Sequence, residues 1–365
     1  MTLALFFRGH FVIDTPSPGD LSSPRARSAH ALQTCWNAQL SGLDADVFST
    51  ALTMGVFKYL VHFISIEALA HQLNLQASST TYLVELLWST RVLECRSDHT
   101  GLRYRLDSRL HPYLNPASDQ YCGDALLHRH RVLRQVGEQF RTMLLAGQQP
   151  LCDIDVYALQ NAWADAARGQ IGQEQRAMTV DIATQIMREQ ESFLQRRRML
   201  DLGAGPGLVA IALAQANPEL SVVVFEYPAV AAVARDNIKQ SNLAHRIQVC
   251  EGDLATDDFG SDYDLIWCSS VLHFVPDVQS LLTRICKALR PGGMFVSCHA
   301  EIDRDPEKAR PVLQYYLALR MQGRFVSYQG QLAQMLEQSG FHLIEQIDDV
   351  QFPVAPVSVI VARKA

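Results

Sequence analysis

One stretch of nine residues, Met199-Leu-Asp-Leu-Gly-Ala-Gly-Pro-Gly207, constrains this chain more than any other. An apolar run enters a turn with glycine at alternate positions. Leu208-Val-Ala-Ile-Ala-Leu-Ala then leaves it as an Ala-rich helix. The pattern predicts a strand, a tight turn and a helix N-terminus. Gly203, Gly205 and Gly207 let the backbone approach a ligand closely, with no Cβ in the way. A chain built on such a unit has a parallel sheet with a nucleotide-like cofactor at its edge.

Three features select the cofactor. A dinucleotide site has G-x-G-x-x-G spacing and faces a pyrophosphate, whereas the spacing here is G-x-G-x-G. Asp201 sits on the strand just before the turn, where a carboxylate repels pyrophosphate and suits an ammonium group. No Lys or Ser/Thr closes the loop as a Walker-type phosphate site requires. The next apolar run, Val222-Val-Val-Phe-Glu226, ends in a carboxylate placed to accept hydrogen bonds from ribose hydroxyls. Ammonium at the first strand and ribose at the second describe S-adenosylmethionine better than NAD.

The sequence after Arg196 alternates in the same way: strands near 199–203, 221–226, 246–250, 264–268 and 294–299, with helices at 207–216, 229–240 and 279–289. That is an α/β parallel-sheet pattern, a Rossmann-like sheet whose ligands lie outside the carboxyl ends of the strands. Glu251-Gly-Asp253-Leu254 follows the third strand, where a carboxylate reaches an adenine amino group and Leu254 packs on the ring. The cofactor-binding candidates are Asp201, Gly203, Gly205, Gly207, Glu226, Asp253, Leu254 and Ser269. Beyond the fourth strand lies His273, the best general base in the chain because its ordinary pKa is near neutrality. The fifth strand ends at His299, with Glu301 beyond. His299 and Glu301 are the candidates to orient His273 or raise its basicity. The spacing of these groups is too irregular for a metal site, and none is expected. A helix at 328–339 and two terminal strands complete the sheet, the last pair as an antiparallel edge.

The 365 residues exceed one ordinary domain. The reading divides them into a flexible lead-in (1–29), a mostly helical winged-helix-like domain (30–118), a helical linker with substrate-pocket helices (119–195) and the cofactor-binding domain (196–365). In the second part, helical spacing runs from 48 to 60. Ser65 caps a helix over 66–73 with a turn at Asn74, and a third helix covers about 79–90. A hairpin then turns at Asp98-His-Thr-Gly101. The candidate recognition helix carries Tyr82, Leu83, Leu86, Leu87 and Trp88 with Glu85 and no cation, so it is a poor reader of nucleic acid. A net charge of −6 agrees with that. Its apolar residues point to burial against another subunit. Arg129, Arg131 and Arg134 read as a solvated helix face, and Met178 and Met187 as packing. Eight scattered Cys without C-x-x-C pairs read as reduced core residues. The apolar patch in Met1–His10 is too short for a membrane span and lacks a signal-peptide pattern, so the expectation is a soluble cytoplasmic protein.

From about residue 36 onward the chain resembles the class I S-adenosylmethionine-dependent methyltransferases of the caffeate/acetylserotonin type, which act on small molecules. Ala51-Leu-Thr-Met-Gly-Val-Phe resembles a helix opening of the dimerisation domain. Asp201–Gly207 resembles the cofactor motif, and Phe225-Glu-Tyr-Pro-Ala-Val230 is similar to an Asp-Leu-Pro-x-Val segment. Glu251–Leu254 and Arg290-Pro-Gly-Gly293 match two further motifs. The resemblance implies a homodimer that methylates phenols or related hydroxyls, with His273 as the base. The chain also departs from that pattern. Phe274 replaces an Asp after the histidine, Ser269-Ser270 replaces a Lys-Trp pair, and His299 stands where an acid ends the fifth strand. The segment 326–331 has no carboxylate. Trp163, Tyr315, Tyr316 and Phe325 suggest a largely apolar acceptor pocket. The expected function is methyl transfer to a hydroxyl of an aromatic or natural-product metabolite. The alternatives are S-, N- or C-methylation and a non-catalytic metabolite-binding winged-helix regulator.

Overall fold

The structure, a computed structural model, describes residues 30–99, 101–147 and 156–364. The lead-in expected at 1–29 lies outside the described residues. The chain divides into two units at Asp44/Ala45. The first described helix, α1, spans Gln33–Thr53.

The helical spacing over 48–60 does not form one helix. α1 stops at Thr53, Gly55 takes φ 65°, and Val56–Tyr59 makes a separate 3-10 turn. The left-handed glycine breaks the helix where Val56, Phe57 and Leu60 turn into a buried cluster. Strand β1 (Ile64–Ser65) leads into α2 (Ile66–Leu73). As expected, the Ser65 side chain accepts a hydrogen bond from the Ala68 N–H, and Asn74 ends the helix in the left-handed region. α3 (Ala77–Ser89) and strands β2 (Leu93–Asp98) and β3 (Gly101–Leu106) follow. β3 lies between β1 and β2, so three short antiparallel strands close the module on Leu69, Val84, Leu87 and Tyr104.

The short α4 (His111–Leu114) precedes the 24-residue α5 (Gly123–Ala146). Helices α6 (Val156–Arg168), α7 (Gln170–Glu174) and α8 (Val180–Glu189) follow. A π-helical turn at Gln175–Thr179 joins the last two. Single π turns inside helices recur at functional sites, and this one reaches the glycine loop.

The remaining chain forms one seven-stranded sheet. Its elements run β4 (Arg198–Leu202), α9 (Leu208–Ala216), β5 (Ser221–Glu226), α10 (Pro228–Gln240), β6 (Ile247–Glu251), β7 (Tyr263–Ser269), α11 (Val278–Ala288) and β8 (Leu289–His299). β9 (Glu301–Ile302), α12 (Pro306–Tyr315), α13 (Leu317–Met321), β10 (Ser327–Tyr328) and α14 (Gln331–Gln338) form the insert. β11 (Phe341–Val350) and β12 (Val357–Lys364) close the sheet. The strand order is β11-β12-β8-β7-β4-β5-β6, parallel from β6 to β8, with β12 and β11 antiparallel at the edge. Helices cover both faces, so β4 and β7 are near-continuous apolar runs: Met199, Leu200 and Leu202, then Leu265, Ile266, Trp267 and Cys268, are all fully buried. β4 has β5 on one side and β7 on the other. The chain reverses direction across the sheet there, and ligands of such sheets bind in that crevice.

Candidate active site at the strand ends

The glycine turn is built as the spacing predicts. Gly203, Gly205 and Gly207 have φ of 67°, 59° and 75°, a region that disfavours any residue with a Cβ. The Gly203 N–H donates to the Phe225 carbonyl (3.0 Å), and Asn237 Nδ2 on α10 donates to the Pro206 carbonyl (2.8 Å). A Cβ at Gly203 would sit 2.5 Å from Val271 Cγ2 and 3.5 Å from Leu254 Cδ1. The turn is thus packed against the ends of both the third and fourth strands.

Asp201 is 2% exposed, and its Oδ2 has no hydrogen-bond partner among the described residues. Burial pushes its carboxyl up to about 7, against the pull of the Ala210 N–H in the first turn of α9. Glu226, half-buried at the end of β5, is pushed up to about 8, mainly by burial and further by Asp201. Two neighbouring carboxyls that resist joint ionisation, one with an orphaned oxygen, fit a ligand that brings a cation and hydroxyl donors. Asp253 accepts from the Ala255 N–H (2.8 Å) in its own turn, and the Tyr227 hydroxyl faces it. Leu254 is buried beside Val271 in the same core. Ser269 Oγ accepts from Trp267 Nε1 at 3.3 Å.

His273 lies in a 3-10 turn after β7 and is 8% exposed. Its ring stands 4.1 Å from Phe274 and 5.2 Å, edge-on, from Tyr316. Burial, with the Arg324 charge adding to it, pulls its pKa down to about 3, so the imidazole is neutral. The structure gives His299 and Glu301 other partners. His299 Nε2 accepts from the N–H groups of Val271 and Leu272, both at 3.2 Å, and Nδ1 meets Ser297 Oγ at 2.9 Å. The two accepted bonds assign the ring proton to Nδ1. Burial and then His273 pull its pKa to about 3 as well. His299 therefore holds the backbone of the turn that carries His273. Glu301 does not orient His273: its carboxylate accepts from the Gly330 N–H (3.4 Å) and the Leu332 N–H (3.3 Å) at the start of α14.

The aromatic residues flagged in the sequence gather around His273. Trp163 packs edge-on to Phe274 (4.6 Å), Tyr315 to Tyr316 (4.9 Å), and Phe325 lines a narrow cleft with His273 and Tyr316. One sequence reading is corrected here. Arg131 and Arg134 are exposed, but Arg129 is largely buried in a bidentate pair with Glu174, 2.7 Å on each arm. Its guanidinium also lies 5.2 Å from the Tyr315 ring centre. The partner lies 45 residues away, so helical spacing within α5 carries no sign of it. Gln175, the next residue after Glu174, also escaped the sequence reading. Its Nε2 donates to the Ala204 carbonyl of the glycine loop at 3.4 Å. Glu174→Gln is expected to cost about 3 kcal/mol, read as a lower urea midpoint, because it strands the Arg129 charge in the interior. An unchanged midpoint would show that the pair is not held in solution.

Comparison with known proteins agrees with this geometry. The O-methyltransferase domain matches residues 164–342. S-adenosyl-L-methionine-dependent methyl transferase PigF of Serratia sp. is 33% identical over 132 residues, 35% of this chain and 37% of its own length. L-tyrosine C(3)-methyltransferase of Streptomyces lavendulae is 30% identical over 190 residues, 50% of this chain and 52% of its own. These matches thus span about a third to a half of those relatives. An N,N-dimethyltransferase of Streptomyces rimosus, OxyT, is 25% identical over 307 residues, covering 80% and 83%. Among solved structures, human N-acetylserotonin methyltransferase in complex with S-adenosylmethionine superimposes with a TM-score of 0.70 at 19% identity, covering 93% of this chain and 99% of that one. The sheet order and the glycine turn give the chain a Rossmann-like methyltransferase fold. Within it, residues 164–342 match an O-methyltransferase domain.

Proposed function

We propose that this chain transfers the methyl group of S-adenosylmethionine to a small metabolite, and that the accepting atom is not restricted to a hydroxyl oxygen. The observation that carries the proposal is the orphaned, buried Asp201 carboxylate beside Glu226 at the strand ends. When bound, the cofactor supplies an electrophilic methyl group. Asp201 holds its ammonium, Glu226 its ribose hydroxyls, and Asp253 and Leu254 its adenine. The apolar cleft at His273 excludes water and sets the acceptor in line. His273 takes the proton of a hydroxyl acceptor. An amine or activated carbon needs that help less. The matched domain is named for O-methylation, whereas similar proteins are named for carbon and nitrogen acceptors. With Phe274 and His299 in place of acids around the base, the broader reading fits this chain better than plain phenol O-methylation, and better than assignment to the caffeate/acetylserotonin branch.

Homodimerisation belongs to the same proposal. α3 presents Tyr82 and Trp88, 66% and 51% exposed, and no cation, which supports a protein partner over nucleic acid. The domain boundaries near 118 and 196 and a cytoplasmic location are further parts of the proposal. No helix among the described residues is long and apolar enough to cross a membrane, and the seven described cysteines are free.

Calorimetry with S-adenosylmethionine and its demethylated product tests the central claim. Binding is expected, and it should tighten as pH rises from 5.5 to 8. The sign follows from linkage. Folded-state carboxyls raised to about 7 and 8 stabilise the cofactor-free protein at low pH, and that contribution is lost as pH rises through those values. An ammonium pairs only with the ionised Asp201, so its binding competes with a proton. Asp201→Asn is expected to flatten the profile. A folded sample that binds neither compound would sink the proposal.

A further inference from the structure

We infer that Arg324 makes this cleft selective for aromatic acceptors that carry a carboxylate. The inference rests on the methyltransferase reading and narrows its substrate class. Arg324 is half-buried and immediately precedes Phe325, which lines the His273 cleft. Its Nη1 donates to the Phe274 carbonyl at 3.2 Å, and that is the one side-chain hydrogen bond it makes among the described residues. The Phe274 ring it anchors touches both His273 (4.1 Å) and Trp163 (4.6 Å). The Arg324 charge is felt at His273, beyond the fourth strand, and at Tyr227, beyond the second.

The neighbouring buried cation, Arg129, is neutralised by Glu174, both arms engaged. Arg324 has no carboxylate within 4.0 Å among the described residues. A guanidinium has five donors and cannot shed its charge, so the donors this half-buried one does not spend on the Phe274 carbonyl are open to an anion. The residues around His273 supply no negative charge either: Phe274 follows it, and His299 is neutral and bonded to backbone N–H groups. The cleft therefore has aromatic walls and a neutral base, and a cation without a carboxylate partner among the described residues adjoins it through Phe274 and Phe325. A carboxylate on an aromatic ring completes that set, with the ring against Tyr316 and Phe325 and the carboxylate on the remaining guanidinium donors.

The test compares 3-hydroxy-2-naphthoate with its carboxamide, which has the same shape without the charge. Binding of each is measured by calorimetry with S-adenosylhomocysteine present, on wild type, Arg324→Gln and Arg324→Lys. The acid is expected to bind wild type at least about tenfold tighter than the amide, in keeping with a charge-assisted pair. That ratio should collapse to near one in R324Q and return in part in R324K. Equal binding of acid and amide to wild type overturns the inference, as does binding of neither or a preference that survives in R324Q. S-adenosylhomocysteine affinity is read in the same titrations. If it fails to bind wild type, the methyltransferase reading has failed, and the acid-to-amide ratio without it still decides the role of Arg324. Should R324Q fail to fold, by melting curve, R324K and the wild-type ratio carry the test.

Discussion

Gly203→Ala is expected to weaken cofactor binding at least tenfold while leaving a folded protein. Two costs add at this position. A residue with a Cβ held at φ 67° pays roughly 1–2 kcal/mol. The new methyl would also lie 2.5 Å from Val271 Cγ2, so the loop or the turn after β7 must shift, an overpacking cost of about 1–3 kcal/mol. The shift falls on the atoms that face the ligand, because the Gly203 N–H is bonded to the Phe225 carbonyl one residue before Glu226. Stability should fall by about 3 kcal/mol, read as a lower Tm. Affinity for S-adenosylhomocysteine should fall at least tenfold beyond any loss of folded fraction. Gly205→Ala is the control. Its φ of 59° carries the same conformational cost, but its Cβ would meet Gln175 and Ile171 at 3.7 Å, an ordinary contact. It should lose about 1 kcal/mol and keep most of its affinity. If the two variants behave alike, the close approach to Val271 does not shape the site.

His273→Ala is expected to divide the acceptor classes. For a hydroxyl acceptor, loss of the base should lower kcat by about 10²–10⁴-fold, with cofactor affinity unchanged. For an amine or activated carbon the loss should stay below about tenfold, since no proton transfer limits the step. Single-turnover transfer of a labelled methyl group across a panel of acceptors measures this directly. The pH profile adds a second reading. A free imidazole held near 3 is deprotonated throughout the working range, so no acidic limb near its ordinary value should appear in kcat/KM. A limb near 7 would belong to Asp201 and Glu226 instead, and Asp201→Asn should displace it. A limb at the usual histidine value that vanishes in H273A would show that the ring is solvated in the working enzyme.

The sheet was legible in the sequence because its signals are local. Val222–Glu226 is apolar on both faces and ends in its carboxylate, Ser65 caps its helix three residues on, and alternating glycines mark a turn that no other residue fits. The aromatic wall was legible as a list, with Trp163, Tyr315, Tyr316 and Phe325 named before any fold placed them together. What escaped were pairings between distant elements. Arg129 on an otherwise polar helix looks solvated until Glu174 arrives from α7. Glu301 looks like a partner for His273 by position, yet the open N–H groups of Gly330 and Leu332 claim it. A carboxylate near a helix N-terminus meets donors with few other partners, and sequence order does not reveal which helix will be in reach. His299 is similar. Its position makes it a candidate to orient His273, but two backbone donors of the Val271–Leu272 turn use its Nε2.

The helical run from α7 through its π turn into α8 places Glu174 and Gln175 side by side in the chain, one holding Arg129 beside Tyr315, the other on the Ala204 carbonyl. One peptide bond thus joins the wall of the acceptor cleft to the floor of the cofactor loop. On the proposed function, the two recognitions are not independent modules in this protein. Remodelling the wall to admit a new substrate also moves a support of the methyl donor, so changes in selectivity here carry a tax on cofactor binding.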